Sequence, residues 1–136
     1  ALYKHNFYLD IWDYRRKVRG IVGGRWYAMP GEPGLVMCSF PRGGAENATG
    51  KGQDAWAAAY FNECMSGFEY QAAATMISEG LVKEGLSVVK AIHDRYDGTK
   101  RNPFNEVECS DHYGRAMASF GAYLALTGMH IDSPNR

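Results

Sequence analysis

Helical spacing of apolar residues governs the second half of the chain and is missing from the first. From about Asn62 the stretch MSGFEYQAAATMI predicts a helix over roughly 64–79, stopped at Ser78-Glu79-Gly80, where glycine suits a helix C-terminus. A second helix is expected at once, over 81–96. In LVKEGLSVVKAIHDRY the apolar residues Leu81, Leu86, Val89, Ile92 and Tyr96 recur at mixed spacings of three to five, while Lys83, Ser87, Lys90 and Asp94 gather on another side. The Asp-Gly and Asn-Pro signals of DGTKRNP mark a turn, after which Ser110 can cap a third helix that begins with Asp111 and runs to about Thr127, before Gly128. From Ala116 to Met129 this helix carries no charge, and AMASFGAYLALTGM is small or apolar on every side, the pattern of a helix buried all round.

The first half reads differently. Residues 1–19 are aromatic and basic without a clean period and predict an irregular segment with one helical turn over IWDYRRK. RWYAM and LVMCSF are short β-rich runs on either side of PGEPG, which suits a small hairpin, and PRGGAENATGKGQ reads as a polar, glycine-rich loop. The chain divides into an irregular and hairpin part, 1–61, and a helical part, 62–136.

The three helices alternate between inner type, outer type and inner type, which is the layering of an α/α barrel. A closed barrel of twelve helices, each of about 12 residues with loops of about 5, needs roughly 200 residues. The expected fold is therefore mainly α, a piece of a larger α/α barrel, with a small β-hairpin near the N-terminal side. A charge-free helix in so small a chain leaves apolar surface to be covered, so a companion chain, or the remainder of the domain, is expected to pack on it.

Composition narrows the function classes. At 136 residues, with 46 % hydrophobic and 22 % charged residues, the chain suits one globular domain. Lys+Arg and Asp+Glu balance at 15 each with no basic run, so the footprint of a nucleic-acid binder is missing. No apolar run approaches the roughly 18 residues of a membrane helix, and Ala1 opens no signal-like segment. Cys38, Cys64 and Cys109 are odd in number and widely spaced, which fits buried thiols better than a disulfide framework or a paired-cysteine zinc site and leans toward a reducing, cytoplasmic setting.

The candidate chemistry lies in NPFNEVECSDHYGRAMASF, residues 102–120. Cys109 and His112 at C-x-x-H spacing, with Glu106, Glu108 and Asp111 nearby, form a possible metal cluster, but no companion pair supplies the remaining ligands. Glu106 and Glu108 would stand about 6.6 Å apart on one side of an extended segment. The carboxylates of a glycosidase must flank the anomeric carbon from opposite sides, so these two alone make a poor catalytic dyad. Arg115 follows Asp111 by four residues, the spacing of a helix-surface ion pair. Alternatively, Glu106 and Arg115 stand on either side of a loop leading into an inner helix, where a carboxylate and a guanidinium can grip sugar hydroxyls. His112, in the first turn, is either a general base or a capping and packing residue, and is the third candidate substrate contact. No nucleophile is evident.

Three blocks, LVMCSFPRGG, NECMSGFEYQAAATMISEGLVKEGLSVVKAIHDRYDG and RNPFNEVECSDHYGRAMASFGAYLALTG, together resemble the C-terminal catalytic region of glycoside hydrolase family 116, which includes β-glucosidases and the non-lysosomal glucosylceramidase. The similarity spans roughly residues 20–128 and is most specific over NPFNEVECSDHYGRAMAS. It implies an (α/α)6 barrel and retaining hydrolysis of β-linked glucosides or related sugars, without a cofactor. The glutamate nucleophile and aspartate acid/base are implied to lie outside this chain. It also implies sugar contacts by Glu106 and Arg115, whose nine-residue spacing matches the family pattern. One departure stands out: where many relatives read Ser-Asp-Glu-Val-Trp-Thr-Gly, this chain has Phe61-Asn62-Glu63-Cys64-Met65-Ser66-Gly67, in a loop that the resemblance turns toward the cleft. Two other readings compete: a non-catalytic helical subunit descended from such an enzyme, and a small metalloprotein using Cys109 and His112.

Overall fold

The computed structural model describes residues 1–17, 27–42, 63–101 and 114–129. Its elements are α1 (Leu2–Asn6), β1 (Phe7–Tyr8), α2 (Ile11–Lys17), β2 (Gly34–Leu35), α3 (Ser66–Ser78), α4 (Val82–Arg95), a 3-10 segment (Gly114–Ala118) and α5 (Ser119–Thr127). The protein is mainly helical, and the described residues include a small two-stranded antiparallel sheet. The helical turn expected over IWDYRRK is α2. Both anticipated glycine stops occur: Gly80 and Gly128 take the left-handed backbone, at φ 82° and 68°, which glycine adopts without a Cβ clash.

The sheet differs from the expected hairpin. β2 draws Leu35 from the LVMCSF run, but its partner is β1, with Phe7 opposite Leu35 and Tyr8 opposite Gly34, rather than the run before PGEPG. The reason lies at Asn6, which holds the residue after β2 twice: its side-chain Nδ2 donates to the Val36 carbonyl at 2.8 Å, and its backbone carbonyl accepts from Val36 N at 2.9 Å. Tyr27 and Ala28 are instead buried in irregular backbone. Alternation along the strand then divides the interior. Leu35 enters a core with Ala73, Met76, Val88, Ile92 and Tyr96, and Val36 enters a second with Ile11, Tyr14, Ala28 and Cys64.

α3 and α4 form an antiparallel hairpin of helices. Their axes approach at Gly85, where an added Cβ would stand 2.6 Å from Ile77 Cγ1 and 2.8 Å from the Ala73 carbonyl oxygen. The buried stripe of α4 is Gly85, Val88, Ala91, Ile92 and Arg95, whereas Leu81 and Leu86, expected on the apolar face, are 47 % and 40 % exposed. Close helix approach and an ion pair select that face, and neither registers in a count of large apolar residues. The wet side carries the Lys90–Asp94 pair.

α5 packs along the opposite flank of α3 and runs parallel to it. Arg115 lies against Gly67 at one end, and Ala74 lies against Gly121 further along. Within this chain the helix read as buried all round is covered on one side only. Ala122 is its buried residue, while Phe120, Tyr123 and Leu126 are exposed, as are Met117 before it and Met129 after it. Among the described residues nothing lies over that face. The expected start of this helix at Ser110 and Asp111 lies outside the described residues, and its described beginning is the 3-10 segment rather than α-helix.

Candidate functional site

α3 and the 3-10 segment begin at the same end of the molecule, and Arg115 stands between them. Its aliphatic stem crosses Gly67, in the first turn of α3, and its guanidinium carbon lies 4.9 Å from the centroid of the Phe68 ring. Helix N-termini carry partial positive charge from N–H groups without intrahelical partners, and Met65, the residue before α3, supplies no side-chain cap. A guanidinium adds charge of the same sign. Glu69 supplies acidic charge in the first turn of the same helix.

Glu106 and His112 lie outside the described residues, as do Glu108, Cys109, Ser110 and Asp111. Arg115 is thus the one sequence-predicted site residue with a described position. Beside it, an apolar cleft of about 180 Å³ is lined by Leu2, Leu35, Val36, Met37, Phe68, Glu69 and Ala72. Phe68, itself 42 % exposed, is common to the cleft and to the Arg115 contact.

The lead-in to α3 corrects the expectation that the loop through Glu63-Cys64-Met65-Ser66 faces a substrate cleft. All four residues are buried. Glu63 accepts from Arg15 at 3.2 Å and from the Tyr27 backbone N–H at 3.1 Å, so its carboxylate is consumed in anchoring α2 and the following loop. Cys64 packs in the second core, where burial, reinforced by the Glu69 carboxylate, pushes its thiol well above its ordinary pKa. A thiol so placed is a poor nucleophile. Phe61 and Asn62 lie outside the described residues.

Further ion pairs position the same end of the fold. Glu69 on α3 and Arg95 at the end of α4 are paired and buried, with Glu69 also accepting the Leu35 N–H at 2.9 Å and Arg95 donating to the Pro33 carbonyl at 2.8 Å. Glu32 receives both terminal nitrogens of Arg101, at 2.7 and 2.9 Å. Burial alone would raise the Glu32 carboxyl, but Arg101 and the Met29 N–H outweigh it and hold its pKa below the ordinary value. These carboxylates are structural, since each is saturated by donors. Sequence reasoning missed Glu69, although one signal was present: it is the sole charge in SGFEYQAAATMIS.

Among the described residues no group of three or more His, Cys, Asp or Glu side chains could hold a metal ion. Also among them, no helix is long and apolar enough to cross a membrane. No family model matches the chain, and no curated protein matches it.

Proposed function

We propose that this chain is the C-terminal part of an α/α barrel glycoside hydrolase acting on β-glucosides or related β-linked sugars. In this reading it supplies substrate contacts, while the nucleophile and acid/base belong to a companion chain or to the remainder of the domain. The observation that carries the proposal is Arg115, the arginine singled out by the family resemblance, lying in the segment that leads into α5 and packed against the first turn of α3. Its guanidinium donates to sugar hydroxyls, Glu106 accepts from them, and His112 contributes a further polar contact. Binding of this kind fixes the sugar ring relative to reacting groups held elsewhere. The parallel α3–α5 pair with α4 behind α3, and the uncovered apolar side of α5, support a segment of a larger double layer.

The test is turnover of an aryl β-glucoside by the chain assembled with its companion. Arg115→Ala is expected to reduce kcat/KM severely while the circular dichroism spectrum and urea midpoint stay close to the parent's. Activity within about twofold of the parent overturns the assignment. Sugar binding without turnover by any assembly favours the non-catalytic subunit.

A further inference from the structure

We propose that Gly67 and Phe68 are positioning residues for Arg115, forming a two-residue seat that fixes where its guanidinium is presented. The inference rests on the reading of Arg115 as a sugar contact and identifies what holds that contact in place. Gly67 lies in the first turn of a thirteen-residue helix whose backbone there is not in the left-handed region, so no conformational demand calls for glycine. Glycine weakens a helix relative to alanine. Space accounts for it: a Cβ on Gly67 would stand 2.9 Å from Arg115 Cδ, 3.1 Å from its Cβ and 3.2 Å from its Cγ, so the stem of the arginine occupies the place of a side chain. Because the Arg115 Cβ is fixed to its own backbone, rotation of the distal stem does not relieve every contact. The next residue completes the seat, with its ring 4.9 Å beneath the guanidinium carbon, within the range of a cation–π contact. A long, flexible side chain is thereby held along its whole length by one helical turn, which limits the rotamer freedom otherwise lost when ligand binds.

The experiment has two readouts. In the isolated 136-residue chain, the Arg115 Hδ resonances are expected upfield because of the Phe68 ring current, and to move downfield in both Gly67→Ala and Phe68→Leu. The leucine variant removes the ring face without adding volume, and so serves if the alanine variant does not fold. In the assembled enzyme, Gly67→Ala is expected to lower kcat/KM for an aryl β-glucoside by about tenfold or more, and by less than about twofold when introduced into Arg115→Ala. Equal losses in the two backgrounds, or Arg115 resonances unmoved by Phe68→Leu, overturn the proposal. If Arg115→Ala leaves turnover unchanged while the resonances still respond to the seat variants, the seat stands and the sugar-contact reading falls.

Discussion

Glu69 and Arg95 face each other across the α3–α4 interface as a carboxylate and a guanidinium joined through both oxygens, each side chain 1 % exposed. The pair does more than neutralise itself. Glu69 accepts the β2 backbone at Leu35, and Arg95 donates to Pro33 just before the strand, so one buried link fastens the two helices and the sheet together.

Breaking that link from one side leaves an uncompensated charge in the interior. Arg95→Ala or Glu69→Ala is expected to cost about 3–5 kcal/mol of unfolding free energy, read from urea midpoints by far-UV circular dichroism. A loss below about 1 kcal/mol would mean that water reaches the abandoned partner.

The Glu32–Arg101 pair makes stability depend on acid. The folded pKa of Glu32 lies below its ordinary value of 4.5, so its contribution is fully present above that value and is lost as pH falls through the lower, folded one. Glu32→Gln removes the titration. The stability difference between parent and variant is expected to be constant near neutrality and to shrink below about pH 4.5. Urea titrations from about pH 7 to about pH 3 check it, and a difference that widens with acid would reverse the sign of the argument.

Cys64 and Cys38 separate by chemistry. Burial raises both thiols, but Cys64 is fully enclosed and Cys38 only partly so. Timed iodoacetamide labelling read by mass spectrometry is expected to modify Cys38 before Cys64, with Cys64 labelled at the rate of unfolding.

Much of the helical part is legible in the sequence because its signals are local. Gly80 and Gly128 terminate helices where a left-handed residue is needed, and the run around Tyr70 to Ile77 keeps one apolar character. What escapes sequence reading is set by contacts between distant segments. β1 is two residues long, and its partner is chosen by Asn6 reaching Val36, so no hairpin signal precedes it. The inward face of α4 is chosen by the absence of a side chain at Gly85 and by the charge at Arg95, both of which a hydrophobic pattern scores as outward. At the candidate site, the motif points to Arg115, but Gly67 and Phe68 belong to another helix and are joined to it by the fold alone. Glu63 shows the opposite failure, since its loop is expected to turn toward the cleft, whereas its carboxylate is buried and accepts from Arg15 and the Tyr27 N–H.

The Gly85 contact yields a sharp stability test. Alanine is the better helix former, and on propensity alone Gly85→Ala would stabilise α4 by up to about 1 kcal/mol. Here its Cβ would meet the Ala73 carbonyl oxygen at 2.8 Å, a backbone atom that cannot swing aside. Overpacking is expected to win, with a net loss of about 1–3 kcal/mol by urea denaturation. A stabilised variant would show that α3 and α4 separate without strain.

The uncovered side of α5 carries the last prediction. Met117, Phe120, Tyr123, Leu126 and Met129 are each about half exposed or more, with the Phe120 and Tyr123 rings stacked at 5.9 Å, and contiguous apolar surface of this kind is uncommon on a lone monomer. Replacing Phe120 with Glu and Leu126 with Lys removes no described core contact, because Ala122 is the buried residue of the helix. In the isolated chain the double variant is expected to keep its urea midpoint within about 0.5 kcal/mol of the parent and to abolish binding of a hydrophobic dye. In the proposed assembly the same charges would be buried without partners, so the variant is expected to fail to associate with its companion in size-exclusion chromatography. Undiminished association would place the companion elsewhere on the molecule, and a collapse of the isolated chain's stability would mean that this side of α5 is packed within the chain itself.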